Sequence, residues 1–260
     1  MKTILDDIIA NKISELNLKK QVVPANQFEK MALFHRKTVS ITSAIRNGSG
    51  IIAEFKRRSP SKPAINMNAR VQNVTLGYQE AGASAISVLT DNKFFGGSLD
   101  DLLLARASVS IPVLRKDFII EEYQILEAKA NGADVILLIA AALRKQELKN
   151  LSKFAQSLGL EVLLEVHNEE ELEKSLLPSV NLLGVNNRNL KTFETNINTS
   201  KELSKRIPND FVRVSESGIS SPKTITELKA YGFEGFLIGE QLMKTNSPYD
   251  DTKTFIDAIN

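Results

Sequence analysis

Residues 130–139 read ANGADVILLI: a glycine, two more residues, and then five consecutive apolar side chains from Val135 to Ile139. A strand built from that run is apolar on both faces, so it must be covered on both, as a parallel strand between helices is. The same local grammar recurs in EAGASAISVL (80–89), SLGLEVLLEV (157–166) and AYGFEGFLIG (230–239). In each, a glycine (Gly82, Gly132, Gly159 or Gly232) follows a stretch of helical spacing and precedes the apolar run. Glycine closes a helix at positive φ without a steric penalty, so each marks a helix stop before the next strand.

Working outward, apolar runs occupy Ile51 to Phe55, Ala85 to Leu89, Ile111 to Leu114, Val135 to Ile139, Val162 to Val166, Leu182 to Val185, Phe211 to Val214 and Phe236 to Ile238. Strand and helix alternating over about 190 residues predict a parallel α/β fold, and eight units favour a closed (β/α)8 TIM barrel. An open doubly wound sheet is the rival, but no G-x-G-x-x-G follows the first run and no P-loop pattern occurs. One barrel domain over residues 1–260 is expected, with eight β/α units in 49–260 and a helical extension in 1–48. In the extension Ile4, Ile8, Ile9, Ile13 and Leu16 mark one amphipathic helix, and Pro24 interrupts it. Phe28, Met31 and Ala32, then Ile41 and Ile45, suggest further helical pieces, able to plug one end of a barrel or cover the other.

Composition narrows the chemistry. Of 260 residues 42% are apolar and 25% charged, ordinary for a globular protein. The formal charge of +2 gives no global reason to expect nucleic acid as a partner. Without cysteine there is no disulfide framework, thiolate metal site or Cys nucleophile, and two histidines make a multi-His centre improbable, so no metal is expected. Asp6 and Asp7 fall where a secretory signal needs an apolar run, and no stretch of about 18 apolar residues follows, so a soluble cytoplasmic protein without a membrane partner is expected.

Barrel enzymes work at the carboxyl ends of their strands, so the polar residues after each run are the candidates. The first run ends IIAEFKRRSPSK (51–62), where a two-residue period puts Glu54 and Lys56 on one side with Phe55 and Arg57 opposite. Lys116, Glu165, Asn186, Arg188, Glu216 and Ser217 follow later runs and reach the same rim. Glu165 faces inward if Val162, Leu164 and Val166 pack on helices, and Lys56 or Lys116 is then its natural partner. Two lysines and two glutamates at one mouth shift each other's pKa values and suit acid–base work. The bland alternatives are a buried ion pair that only fixes packing, and a surface charge run. Gly218 and Gly239 are close-approach positions where backbone N–H groups can meet an anion. Phe94, Phe95 and Phe118 lie near the mouth and suit an aromatic ring, although core filling is the commoner role. His167 is read as structural, pointing toward the helices.

These stretches resemble the indole-3-glycerol phosphate synthase family. IIAEFKRRSPSK, TDNKFFGGS, VLRKDFI, ADVILLIAA, LLEVH, GVNNRNL, VSESGI and FLIGEQLM are similar to its motifs and stand in its order. The resemblance implies a barrel that converts 1-(2-carboxyphenylamino)-1-deoxy-D-ribulose 5-phosphate to indole-3-glycerol phosphate, carbon dioxide and water in tryptophan biosynthesis, without a cofactor. It further implies that Lys116 is the general acid, aimed at the ketose carbonyl oxygen, and Glu165 the general base toward dehydration. Lys56 and Asn186 match residues that hold the substrate's carboxylate and hydroxyls, with Glu54 supporting the lysines and Lys56 a second potential proton donor. Arg188 and Glu216 match supporting polar residues, Ser59, Gly218 and Gly239 the phosphate positions, and Phe95 and Phe118 the aryl enclosure. Ser217 and Glu240 join the substrate-binding set.

The sequence departs from the family pattern at Pro63 (usually Gly), at Gly96 (a longer polar residue) and at Asn189 (usually Asp). The first two bear on loop motion, and the third weakens any ion pair assigned to its loop. Another phosphosugar enzyme on the same fold, such as an isomerase or a Schiff-base aldolase built on Lys116, shares the phosphate loops, and a catalytically idle barrel is a second class of alternative. Four intact buried polar groups argue against the idle barrel. The expected partner is a small phosphorylated substrate, and the expected state a monomer or homodimer.

Overall fold

A computed structural model describes residues 3–189, 192–244 and 247–259. The chain opens with α1 (Ile4–Val22), whose first turn is locked by a reciprocal cap: the Thr3 hydroxyl accepts the Asp6 N–H and the Asp6 carboxylate accepts the Thr3 N–H. A 3-10 turn (Ala25–Lys30) and α2 (Ile41–Arg46) lead to the barrel. Its strands are β1 (Ile51–Phe55), β2 (Ala85–Leu89), β3 (Val113–Lys116), β4 (Val135–Ile139), β5 (Glu161–Val166), β6 (Leu182–Asn186), β7 (Val212–Glu216) and β8 (Gly235–Ile238). Each pairs in parallel with the next, and Ile51, Ile52 and Ala53 of β1 lie opposite Phe236, Leu237 and Ile238 of β8, closing the cylinder.

The helices after α2 are α3 (Val71–Glu80), α4 (Asn92–Phe95), α5 (Leu99–Ser108), α6 (Glu122–Ala130), α7 (Lys145–Ser157), α8 (Glu169–Ser175), α9 (Asn198–Ser204), α10 (Pro222–Lys229), α11 (Glu240–Met243) and α12 (Pro248–Asp257). Gly82, Gly132, Gly159 and Gly232 all stand at positive φ, between 74° and 98°, as expected of helix stops.

Strand alternation divides the core in two. Val162, Leu164 and Val166 face the helices, as do Ile51, Ala53 and Phe55. Ile52, Leu114, Leu137, Leu163 and Leu237 fill the barrel interior. Glu165 continues the inward row of Leu163, and Glu54 that of Ile52.

The extension serves both ends of the barrel. Ile41 and Ile45 of α2 pack on Ile52, Val135 and Val214, sealing the interior at the amino ends of the strands. Ile4, Leu5 and Ile8 of α1 line the cavity at the carboxyl ends. Two expectations there are corrected. Ile13 is 46% exposed, and the buried slot on that side of α1 belongs to Lys12, because three carboxylates surround its ammonium. Met31 and Ala32 are exposed and in no helix; Phe28 and Phe34 make the contact instead, with Leu16 and Tyr123.

The boundaries of β3, β5, β6, β7 and β8 also differ from the apolar runs, by one or two residues. The third strand starts at Val113 rather than Ile111, because Pro112 has no N–H to donate. The sixth and seventh continue past their last apolar residues to Asn186 and Glu216, which lie opposite each other in register.

Candidate active site

The strands deliver their last inward residues to one cavity of about 320 Å³ at the carboxyl end. Glu54, Lys56, Lys116, Glu165, Asn186 and Glu216 line its depth. Lys116 closes β3, and its Nζ lies 3.5 Å from Glu165 Oε2 and in closer contact with Glu216 Oε2. Lys56 lies 2.6 Å from Glu54 Oε1, so of the two partners foreseen for Glu165, Lys116 is the one it has. Asn186 donates from Nδ2 to Glu165 Oε1 at 3.1 Å, fixing the second oxygen of that carboxylate. Arg57 faces away, as the strand period requires, and pairs with Asp101.

Burial works against the charge of Lys116, but Glu216, Glu165 and Glu54 outweigh it and hold the ammonium above the ordinary lysine range. Burial pushes Glu216 up to about 7, with Lys116 pulling it back and Glu165 pushing it further. Glu54 is deeply buried as well, yet Lys56 and Lys116 draw its carboxyl below the usual range. Glu216 Oε1 has no hydrogen-bond partner among the described residues, and a Cβ on Gly184 would stand 2.3 Å from it. Glycine at 184 is therefore what makes room for this carboxylate.

Around this charged floor the wall is apolar. Phe95 and Phe118 stand with ring centroids 5.8 Å apart, and Leu5, Ile8 and Phe193 join them in the lining. Phe94 does not line the cavity; Lys93 Nζ sits 5.4 Å from its ring. The rim carries Ser59, Arg188, Ser217, Gly218, Gly239 and Glu240. Ser217 and Gly218 are consecutive left-handed residues (φ 68° and 75°), and a Cβ at 239 would meet Glu54 Oε1 at 2.5 Å. Arg188 reaches across to Ser61 Oγ at 2.7 Å, and Lys62 pairs with Glu240, whose carboxyl that contact lowers. All fourteen residues expected at the site thus line one cavity. His167 does not line the cavity; its Nδ1 lies 2.7 Å from the Asn186 carbonyl oxygen.

Of the departures, Gly96 ends α4 in the left-handed region (φ 66°), a conformation that a longer residue adopts only with strain. Asn189 Oδ1 accepts the Thr192 N–H at 3.2 Å; Leu190, the last residue of GVNNRNL, lies outside the described residues. Sequence reasoning missed the wall supplied by Ile4, Leu5, Ile8, Leu137, Ile139 and Phe193. Ile4 and Ile8 were visible as part of a helix face able to cover one end of the barrel, and Leu5 was not marked. Phe193 stands in a loop with no periodicity to mark it.

A parallel eight-stranded barrel with lysine–carboxylate pairs at the carboxyl-end mouth defines the class: a (β/α)8-barrel enzyme equipped for acid–base chemistry. Comparison with known proteins narrows it. The model of the family "Indole-3-glycerol phosphate synthase" matches residues 5–255, and the chain belongs to that family. An indole-3-glycerol phosphate synthase of Bacteroides thetaiotaomicron is 49% identical over 260 residues, covering 100% of both chains. One of Bacillus cereus is 44% identical over 248 residues, covering 95% of each. Among solved structures, KGPDC from Streptococcus mutans aligns with a TM-score of 0.62 at 11% identity, over 80% of this chain and 96% of its own. That likeness shows the barrel fold alone.

Proposed function

We infer that the chain performs its family's reaction, the ring closure, decarboxylation and dehydration of 1-(2-carboxyphenylamino)-1-deoxy-D-ribulose 5-phosphate to indole-3-glycerol phosphate, and that the mouth residues divide the work as follows. The carrying observation is the convergence of two lysine–carboxylate pairs and two facing phenylalanines in one cavity. Ring closure places negative charge on the ketose carbonyl oxygen. Lys116, kept charged by its carboxylate neighbours, donates a proton there as the aryl carbon attacks. Lys56 and Asn186 hold the carboxylate and hydroxyls, and loss of carbon dioxide restores the aromatic ring. Glu165, oriented by Asn186, removes the proton that accompanies departure of water.

Glu54 keeps Lys56 aimed, and Glu216 does the same for Lys116. Phe95 and Phe118 enclose the aryl ring. Ser59, Ser217, Gly218 and Gly239 form the phosphate end, with Arg188 and Glu240 at its margin. The reaction needs no redox step and, on this reading, no cofactor. Among the described residues no group of three or more His, Cys, Asp or Glu is placed to hold a metal ion, and no helix is long and apolar enough to cross a membrane. A cytoplasmic protein with neither nucleic acid nor membrane as partner remains the reading from composition, and a monomer or homodimer the expected state.

The chain has no Trp, so indole emission in a reaction mixture belongs to product. Purified protein given the substrate, a chelator and no added nucleotide should form an indole and one equivalent of carbon dioxide. Failure with folded protein and authentic substrate would overturn the assignment; loss of activity through the chelator alone would overturn the metal-free mechanism.

A further inference from the structure

Lys12 is 2% exposed on a helix whose other buried residues, Leu5, Ile8 and Leu16, are apolar. A buried ammonium is retained only where carboxylates compensate its lost hydration. Here Nζ lies 3.2 Å from Asp91 Oδ2 and 3.1 Å from Asp117 Oδ1, both buried, and 3.2 Å from the more exposed Glu15. Each buried carboxylate has a second task. Asp91 Oδ1 accepts the Phe94 N–H at 2.8 Å and so caps α4, the turn that carries Phe95. Asp117 stands between Lys116 and Phe118; its Oδ1 accepts the Phe118 N–H at 2.8 Å, and its Oδ2 takes Thr90 Oγ1 and Arg115 Nη2.

One cation of α1 therefore ties the base of one ring of the aryl pair to the base of the other, and to the peptide following Lys116. Behind it, Arg115 also reaches Glu127, which Lys19 of α1 completes. Three buried carboxylates, Asp91, Asp117 and Glu127, thus face three cations, of which α1 supplies Lys12 and Lys19. Lys12 itself does not line the cavity.

We propose that Lys12 is a positioning residue for the reaction: by bridging Asp91 and Asp117 it sets the separation of Phe95 and Phe118 and the aim of Lys116. The inference rests on the family activity. Without the ammonium nothing bridges the two aspartates, whatever charge they carry, so the turn bearing Phe95 and the Phe118 peptide are no longer held at one separation and the substrate's aryl carbon loses its approach to the carbonyl. A misplacement of about 1 Å is enough to cost about 100-fold in rate.

The test compares wild type, Lys12→Met, the pair Lys12→Met with Asp91→Asn, and Lys20→Met, measuring kcat, KM and thermal unfolding of each. The double variant removes the cation together with one carboxylate while Asn keeps the cap on Phe94; Lys20→Met cuts another tie of α1, to Glu121, and leaves the Lys12 bridge intact. Lys12→Met should lose stability and at least about tenfold in kcat. In the double variant stability should recover while kcat stays low, and Lys20→Met should keep its kcat.

A purely structural role would make kcat recover with stability. That recovery, a kcat within about threefold of wild type in Lys12→Met, or an equal loss in Lys20→Met would overturn the proposal. If Lys12→Met does not fold, the double variant decides. An inert wild type would overturn the family activity and this inference together; an active wild type with an unaffected double variant overturns this inference alone.

Discussion

Replacing Lys116 by Met removes the ammonium between Glu165 and Glu216 and keeps an unbranched chain of similar reach. Two consequences separate. In the chemistry, loss of a general acid costs about 100-fold or more in turnover, which at 1.36 kcal/mol per decade is about 2.7 kcal/mol of transition-state stabilisation. In the fold, removing one partner of a buried pair typically costs about 3–5 kcal/mol because a charge is left uncompensated. Here that cost is limited, since burial has already pushed Glu216 up to about 7 and without Lys116 it takes a proton instead of remaining an anion. The variant should therefore fold, with a lower melting temperature, and the loss should be smaller in mild acid than above neutrality.

Initial rates followed by indole emission give the first quantity against a background of only 4 Tyr and 12 Phe. Thermal melts at several pH values give the second. A folded Lys116→Met within about threefold of wild type would remove Lys116 from the acid's role and leave Lys56 to be tested in its place.

Glu165→Gln keeps the shape and an acceptor for Asn186 Nδ2 but accepts no proton, so KM should stay within about threefold while kcat falls about 100-fold; the reverse pattern would make Glu165 a binding residue. Gly218→Asp should weaken binding of the phosphorylated substrate beyond Gly218→Ala, which reports only the strain of a Cβ 2.6 Å from Thr195 Cγ2 at φ +75°, whereas a dephosphorylated analogue should not distinguish Asp from Ala; equal weakening of both ligands would place the phosphate elsewhere. For Glu216 the folded value of about 7 lies above the ordinary 4.5, so between these values the unfolded chain has released a proton that the folded chain keeps. Its contribution to stability falls as pH rises through that window and is level outside it. The unfolding free energy of wild type minus that of Glu216→Gln should decline across the window, and a level difference would contradict a raised carboxyl.

The strands were legible because a covered parallel strand must be apolar on both faces, and runs such as Val135 to Ile139 leave little else to consider. Their ends were less so, for a reason tied to function. An apolar run stops at the first polar side chain, but the ladder continues through Lys116, Asn186 and Glu216, so the residues that carry chemistry fall where the pattern breaks. The period of two still recovered their direction: Glu54 and Lys56 share the mouth, and Arg57 turns to Asp101. On α1 the same reasoning failed. Hydrophobic spacing gives a charged residue no place in a core, and Asp91 and Asp117, which supply that place, stand far along the chain.

The extension also explains why the mouth holds the charges it does. Eight strands alone form a tube whose polar end would be open to water, and exposed carboxylates there would stay near their ordinary pKa values. With Ile41 and Ile45 filling one end and Ile4, Leu5 and Ile8 walling the other, Glu54, Glu165 and Glu216 meet Lys56 and Lys116 in a pocket that buries the three carboxylates. Three carboxylates against two ammonium groups leave one negative charge in excess. Glu216, whose Oε1 has no hydrogen-bond partner among the described residues, is the carboxylate that burial pushes up to about 7, so it is the one that takes up a proton as the pH falls to neutrality. The same imbalance keeps Lys116 charged, since each neighbouring carboxylate that retains its negative charge opposes loss of the ammonium proton. A persistently charged Lys116 facing the substrate is thus held by its carboxylate neighbours, whose pull outweighs burial in the closed mouth, and loosening α1 should bring that ammonium back toward the ordinary lysine range even though no residue of that helix supplies the proton.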